Sequence, residues 1–140
     1  MATEKDLVRW FCESMRTKNA EERIGASHLD SVVTEMAFKF GRADIVVFHV
    51  NGSATVIEAK DGSRGYGHVV AGIGQAGLYA AQLGMAKHAI THIRRALLWT
   101  STGNILADAL IEEACEQAGV IALPWADISL HQAVEMEISP

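Results

Sequence analysis

Along this chain, apolar residues recur every three or four positions in some stretches. In others they alternate or run together, and the switching predicts the elements. Leu7, Trp10, Phe11 and Met15 fall at helical spacing and predict a helix from Lys5 to Arg16, with Thr3 as its N-cap. Lys18 to Ala26 is polar and reads as a loop. Leu29 to Phe38, rich in Val, Thr and Phe, reads as a strand that Gly41 interrupts. Ala43 to Val50 and Ala54 to Lys60 are strong strand segments on either side of Asn51-Gly52, a dipeptide suited to hairpin turns because both residues tolerate positive φ. Asp61 to Gly67 is a Gly/Ser-rich loop. Val69 to Leu83 reads as a helix, with Gly84 placed to end it. Arg95 to Thr100 reads as a strand, Ile105 to Gln117 as a helix closed by Gly119, and Val120 to Leu123 as a short last strand.

The resulting order is α-β-β-β-α-β-α-β. A hairpin precedes a crossover helix, so the expected fold is α/β: a mixed central sheet flanked by helices. No internal repeat or Pro/Ser-rich linker divides residues 1–140, which are read as a single domain. The stretch from Trp125 to Pro140 alternates weakly and ends acidic. It either closes the domain or makes a dimer contact.

Composition narrows the function. The two cysteines, Cys12 and Cys115, lie far apart, which excludes a disulfide framework and a cysteine-rich zinc module and fits a reducing cytoplasm. The N-terminus is charged where a signal peptide needs an apolar run. Gly65 to Met85 holds no Asp, Glu, Lys or Arg, but its glycines, Gln75 and Gln82 make it a closely packed helix rather than a membrane span. The net charge of −5 argues against strong global attraction to nucleic acid, so such binding must rest on a local patch. No acid occurs between Asp61 and Asp108, and Arg64, Lys87, Arg94 and Arg95, with Lys60, are the candidate phosphate-facing set.

The candidate chemistry sits on the hairpin. Asp44 opens one strand, and Glu58 and Lys60 close its partner, so the three meet at one edge of the sheet. Glu58 and Lys60, two apart, share a face. Two acids among Ile45, Val46, Val56 and Ile57 are costly to bury unless paired or metal-bound. Mg²⁺ prefers carboxylates, water and phosphate oxygens, so Asp44, Glu58 and the Ala59 carbonyl would form half a cage, with Lys60 stabilising developing charge. A two-residue Asn51-Gly52 loop would set Asp44 opposite Ala59 and turn the acids to opposite faces. Sharing a face requires an odd loop, such as Asn51-Gly52-Ser53, or one bulge. The simpler reading is an ion pair of Lys60 with Asp or Glu at a strand end.

With Asp44, Glu58-Ala59-Lys60 and this element order, the chain resembles the PD-(D/E)XK nuclease superfamily, whose fold is restriction-endonuclease-like. Thirteen residues separate Asp44 from Glu58. Ala43 stands where the family's proline usually does, and Arg42 resembles an R-x-D variant. Gln75 and Tyr79, one helical turn apart, resemble the Gln-x-x-x-Tyr motif of the RecB-like branch. The resemblance implies a deoxyribonuclease that uses Mg²⁺ or Mn²⁺. Asp44, Glu58 and Ala59 would bind metal, Lys60 would assist catalysis, and Gln75 would support substrate or Lys60. An additional acid would come from Glu35 or Glu13, although Glu35 has a competing role as a cross-strand partner of Arg42 or Lys39. DNA is the implied partner, and a homodimer or partner chain would supply target recognition. An alternative is the same fold without turnover, binding nucleic acid or protein.

Two other motifs have weaker footing. Gly72-Ile73-Gly74-Gln75-Ala76-Gly77 matches GxGxxG, the basis for an alternative NADP-binding domain, but lacks the acid about 20 residues on that the dinucleotide motif requires. His88 and His92 are four apart without the glutamate of a zinc protease, and His68 lies in the loop after Lys60.

Overall fold

The computed structural model of the chain describes residues 3–13, 18–87 and 89–124. Helix α1 (Glu4–Glu13) starts at a reciprocal cap: the Asp6 amide donates to Thr3 Oγ1 at 3.2 Å, and the Thr3 amide to Asp6 Oδ2 at 3.0 Å. The expected Met15 contact lies outside the described residues. The segment read as a loop contains helix α2 (Lys18–Ile24). Its composition favours helix, but Ile24 is its only large apolar residue, so no periodicity could reveal it. Ile24 is fully buried and supplies the tertiary support a helix this short needs.

Strands β1 (Ser31–Phe38), β2 (Gly41–Phe48) and β3 (Ala54–Lys60) follow. Gly41 begins β2 rather than ending β1 at a distance, because Lys39 and Phe40 alone make the turn. A short 3₁₀ turn (Gly62–Arg64) leads into helix α3 (Tyr66–Ala86), then β4 (Ile93–Trp99), α4 (Ile105–Ala118) and β5 (Val120–Pro124). Gly84 does not end α3, which runs on to Ala86. Gly119 does end α4, in the left-handed conformation at φ 69°. Asn104 opens α4 by accepting the Ala107 amide at 2.9 Å.

The five strands form one mixed sheet in the order β1-β2-β3-β4-β5. β1, β2 and β3 are antiparallel, and β3, β4 and β5 are parallel. Strand alternation sends Ile45, Val47, Ile57, Ala96 and Leu98 to one face, under Leu7 and Phe11 of α1 and Ile24 of α2. Leu97, Trp99 and Val120 face the other way, under Val69 of α3 and Ile111 and Cys115 of α4. Each fully buried Leu or Ile contributes about 1.5–3 kcal/mol, so these two layers hold the sheet rigid beneath its edges. Cys12 and Cys115 are both free thiols. No described helix is long and apolar enough to cross a membrane.

Candidate active site

The register of the hairpin decides whether the acids can meet. Phe48 pairs with Ala54 and Ile45 with Ile57. The His49 amide donates to the Ser53 carbonyl at 2.8 Å, leaving Val50, Asn51 and Gly52 as a three-residue loop. The loop is odd, as a shared face requires, but starts one residue earlier than Asn51-Gly52-Ser53. One step beyond the Ile45–Ile57 pair, Asp44 therefore stands opposite Glu58.

At that step side chains replace the regular ladder. The Asp44 amide donates to Glu58 Oε2 at 3.3 Å, and the Ala59 amide donates to Asp44 Oδ2 at 2.8 Å. The neighbouring strand yields at the same level. In β1, Thr34 pairs with Ile45 and Met36 with Ala43, while Glu35 between them has φ 52°. It is the one described non-glycine residue with positive φ, a costly conformation that concentrates at functional sites. The sequence carries no signal of it.

Glu58 is 3% exposed, at the sheet's centre. Burial, a hydrogen bond with the Asp44 carboxyl and the charge of that group push its pKa up to about 9, against the smaller pull of the Asp44 amide and the Lys60 charge. At neutral pH the pair therefore holds a proton, because two adjacent carboxylates in a dry setting cannot both ionise. A cation placed between them removes the same repulsion, so this donor set of two hard, touching carboxyl groups fits a small divalent ion.

Helix α3 covers the pair closely. A Cβ on Gly72 would lie 2.6 Å from Leu97 Cδ1 and 2.9 Å from Lys60 Cγ, so glycine here lets the helix settle onto the Lys60 stem. Lys60 makes no ion pair with a described residue. Its ammonium acts on Glu58 through charge, in place of the strand-end ion pair. Tyr79 stacks on Phe38 with ring centroids 6.0 Å apart. Its hydroxyl would lie 2.6 Å from a Cβ on Gly41, whose φ is 108°. Burial and the charges of Glu58 and Asp44 raise the Tyr79 pKa, outweighing the opposing effect of the Arg42 amide. Gln75 lies one turn from both Gly72 and Tyr79, but its side chain makes no hydrogen bond to a described residue.

Asp44 also borders a cavity beside α1. This cavity, of about 600 Å³, is lined as well by Thr34 and Glu35 of β1 and Arg9, Cys12 and Glu13 of α1. Both candidate additional acids thus border the cavity that reaches Asp44, and Glu35 makes no ion pair with Lys39 or Arg42. Among the described residues, no group of three His, Cys, Asp or Glu side chains is arranged to hold an ion.

Several expectations are corrected. The proposed basic patch is dispersed: Arg94 and Arg95, adjacent in β4, point to opposite faces. Arg94 donates to the Ile24 carbonyl, and Arg95 to the Ala118 carbonyl at 2.9 Å. Arg64 lies 3.7 Å from Glu4. The GxGxxG residues lie inside α3, so they form no strand-to-helix phosphate loop. His68 is tied to Glu4 at 2.7 Å, and His88 lies outside the described residues.

The sequence reading missed a buried polar chain at the turn end of the hairpin. His49 Nδ1 meets Asp30 Oδ2 at 2.7 Å, and His49 Nε2 meets Thr55 Oγ1 at 2.7 Å. The available signal was parity: His49 and Thr55 continue the inward rows of Ile45-Val47 and Ile57-Ala59, where a polar residue must find a partner. No family model matches this chain, and no curated protein matches it.

Proposed function

We propose that the chain is a metal-dependent nuclease of PD-(D/E)XK type, with a restriction-endonuclease-like fold, that hydrolyses phosphodiester bonds in DNA. The observation that carries this reading is the contact of Asp44 with Glu58 at the open end of the hairpin, with the Lys60 charge beside it. Asp44 and Glu58, with the Ala59 carbonyl, would hold Mg²⁺ or Mn²⁺. Such an ion, when bound, polarises the phosphodiester and lowers the pKa of an attacking water.

The chain's own residues do the rest. Asp44 and Glu58 supply two negative charges in a dry setting, which favours a cation over a proton as its concentration rises. The Ala59 amide fixes one Asp44 oxygen and orients the carboxyl. Lys60, its stem fixed under α3, offers positive charge to a phosphate in which negative charge builds up. Gln75 is available to bind substrate or Lys60, and Tyr79 packs against the strand that carries Asp44.

The test is cleavage of single- and double-stranded DNA with Mg²⁺ or Mn²⁺. The expected result is metal-dependent cleavage that disappears with EDTA and in Asp44→Ala and Lys60→Ala, with circular dichroism unchanged. DNA or protein binding indifferent to EDTA and to both substitutions, without cleavage, would replace the nuclease with a binding module of the same fold.

A further inference from the structure

We propose that the cavity at the turn end of the β2–β3 hairpin binds a phosphoryl group, with Arg94 as its principal anchor. This cavity, of about 530 Å³, is lined by His49, Asn51, Ser53, Thr91, His92 and Arg94, together with Gly25. Among the described residues no Asp or Glu lines it, in a chain whose net charge is −5. An anion entering it therefore meets donors and no carboxylate at the wall.

The donors are set before any ligand arrives. Arg94 donates to the Ile24 carbonyl at the end of α2 and lies 3.5 Å from His49 Nε2. Among the described residues it has no carboxylate partner, so its guanidinium keeps unused N–H groups. His49 cannot turn away. Asp30, whose side chain is 1% exposed, holds its Nδ1, and Thr55 holds its Nε2. The Asp30 carboxylate also accepts the Ser27 and Val50 amides, which fixes this floor to the loop after α2. Both ring nitrogens of His49 are thus engaged, which holds the imidazole in place beside the guanidinium.

The rim is equally fixed. The Thr91 amide donates to the Gly52 carbonyl at 3.0 Å and the Ala54 amide to the His92 carbonyl at 2.9 Å, locking the β4 approach to the hairpin loop. Asn51 Oδ1 accepts both the Ser53 amide at 2.9 Å and the Ser53 hydroxyl at 2.6 Å, so the Asn51 side-chain NH₂ is left to donate. The Arg94 guanidinium and the Asn51 side-chain amide, both at the wall of this concavity, suit a tetrahedral oxyanion. The cavity is also large enough for more than a lone phosphate. Asp44 in β2 is five residues from His49, which follows the strand directly, about 17 Å away at strand rise, so the cavity is separate from the carboxylate pair. The inference therefore stands whether or not the chain cleaves DNA.

The experiment is done in EDTA at constant ionic strength, following melting temperature and backbone amide shifts as inorganic phosphate replaces chloride. The site predicts a rise of a few degrees at saturation and shifts concentrated at Ser53, Thr91 and His92. Arg94→Gln weakens phosphate binding about tenfold or more, and His92→Ala, at an exposed position, weakens it less. Arg94→Lys keeps part of the affinity. If Arg94→Gln loosens α2, His92→Ala and the shift map still decide. A 5′-mononucleotide and a short single-stranded oligonucleotide identify the source: tighter binding of the strand assigns the site to a nucleic-acid backbone, and tighter binding of the mononucleotide to a free phosphate ester. No response beyond chloride, or an equal response in Arg94→Gln and His92→Ala, overturns the proposal.

Discussion

The two ends of the β2–β3 hairpin carry carboxyl groups in opposite condition. At the turn end, burial would raise the Asp30 pKa, but the hydrogen bond to His49 and the amides of Ser27 and Val50 outweigh it, and the group stays ionised below its ordinary value. At the open end, burial and a second acid drive Glu58 up to about 9. The two sites differ in surroundings, polar around Asp30 and apolar around Glu58, and in satisfaction. Asp30 has a donor for its charge on every side, whereas Glu58 faces another acceptor. The first arrangement stabilises a loop. The second opposes folding of the ionised form, and perturbed carboxyl groups of this kind concentrate at functional sites.

The comparison breaks most sharply if function and stability fail to separate. Asp44→Ala and Lys60→Ala each lower cleavage by about a hundredfold or more while leaving the melting curve close to that of the parent, as a nuclease assay and calorimetry would show. Asp30→Ala does the reverse. It leaves His49 buried without its partner and costs about 3 kcal/mol in urea unfolding, with metal-dependent cleavage retained. Glu58→Gln abolishes cleavage yet stabilises the metal-free chain at pH 7 by about 1–3 kcal/mol, because it removes an acid that must take up a proton to fold.

The pH dependence sharpens the same contrast. Glu58 has a folded pKa above its unfolded value. Its contribution is therefore fully present below the ordinary glutamate range and is lost as pH rises toward 9. Asp30 has a lowered pKa, so its contribution is present above the ordinary aspartate range and is lost as pH falls through its folded value. In EDTA, unfolding free energy measured from pH 5 to 9 should decline with pH, and Glu58→Gln should flatten the decline. The smallest effect serves as a remote control: Asn104→Ala removes the α4 cap, costs about 1 kcal/mol and leaves cleavage unchanged.

Much of this is legible in the sequence where apolar residues run together. Continuous apolar stretches around Asn51-Gly52 mark β2 and β3, and parity demands an odd loop or a bulge if Asp44 and Glu58 are to meet. What escaped had no periodic trace. Helix α2 has one large buried residue, so its pattern is indistinguishable from a polar loop. The positive φ of Glu35 has no signature in the residue type. The basic residues, near one another in sequence, do not form one patch in space. Strand alternation sends Arg94 to the α2 side and Arg95 to the end of α4.

The central claim is that Asp44 and Glu58 share a proton that a divalent cation displaces. Titration of Mn²⁺ into the metal-free chain at pH 7, by calorimetry in two buffers of different ionisation enthalpy, measures this directly. The account predicts binding with release of about one proton per ion, lost in Asp44→Asn and Glu58→Gln. Binding without proton release, or unchanged in both variants, would contradict it.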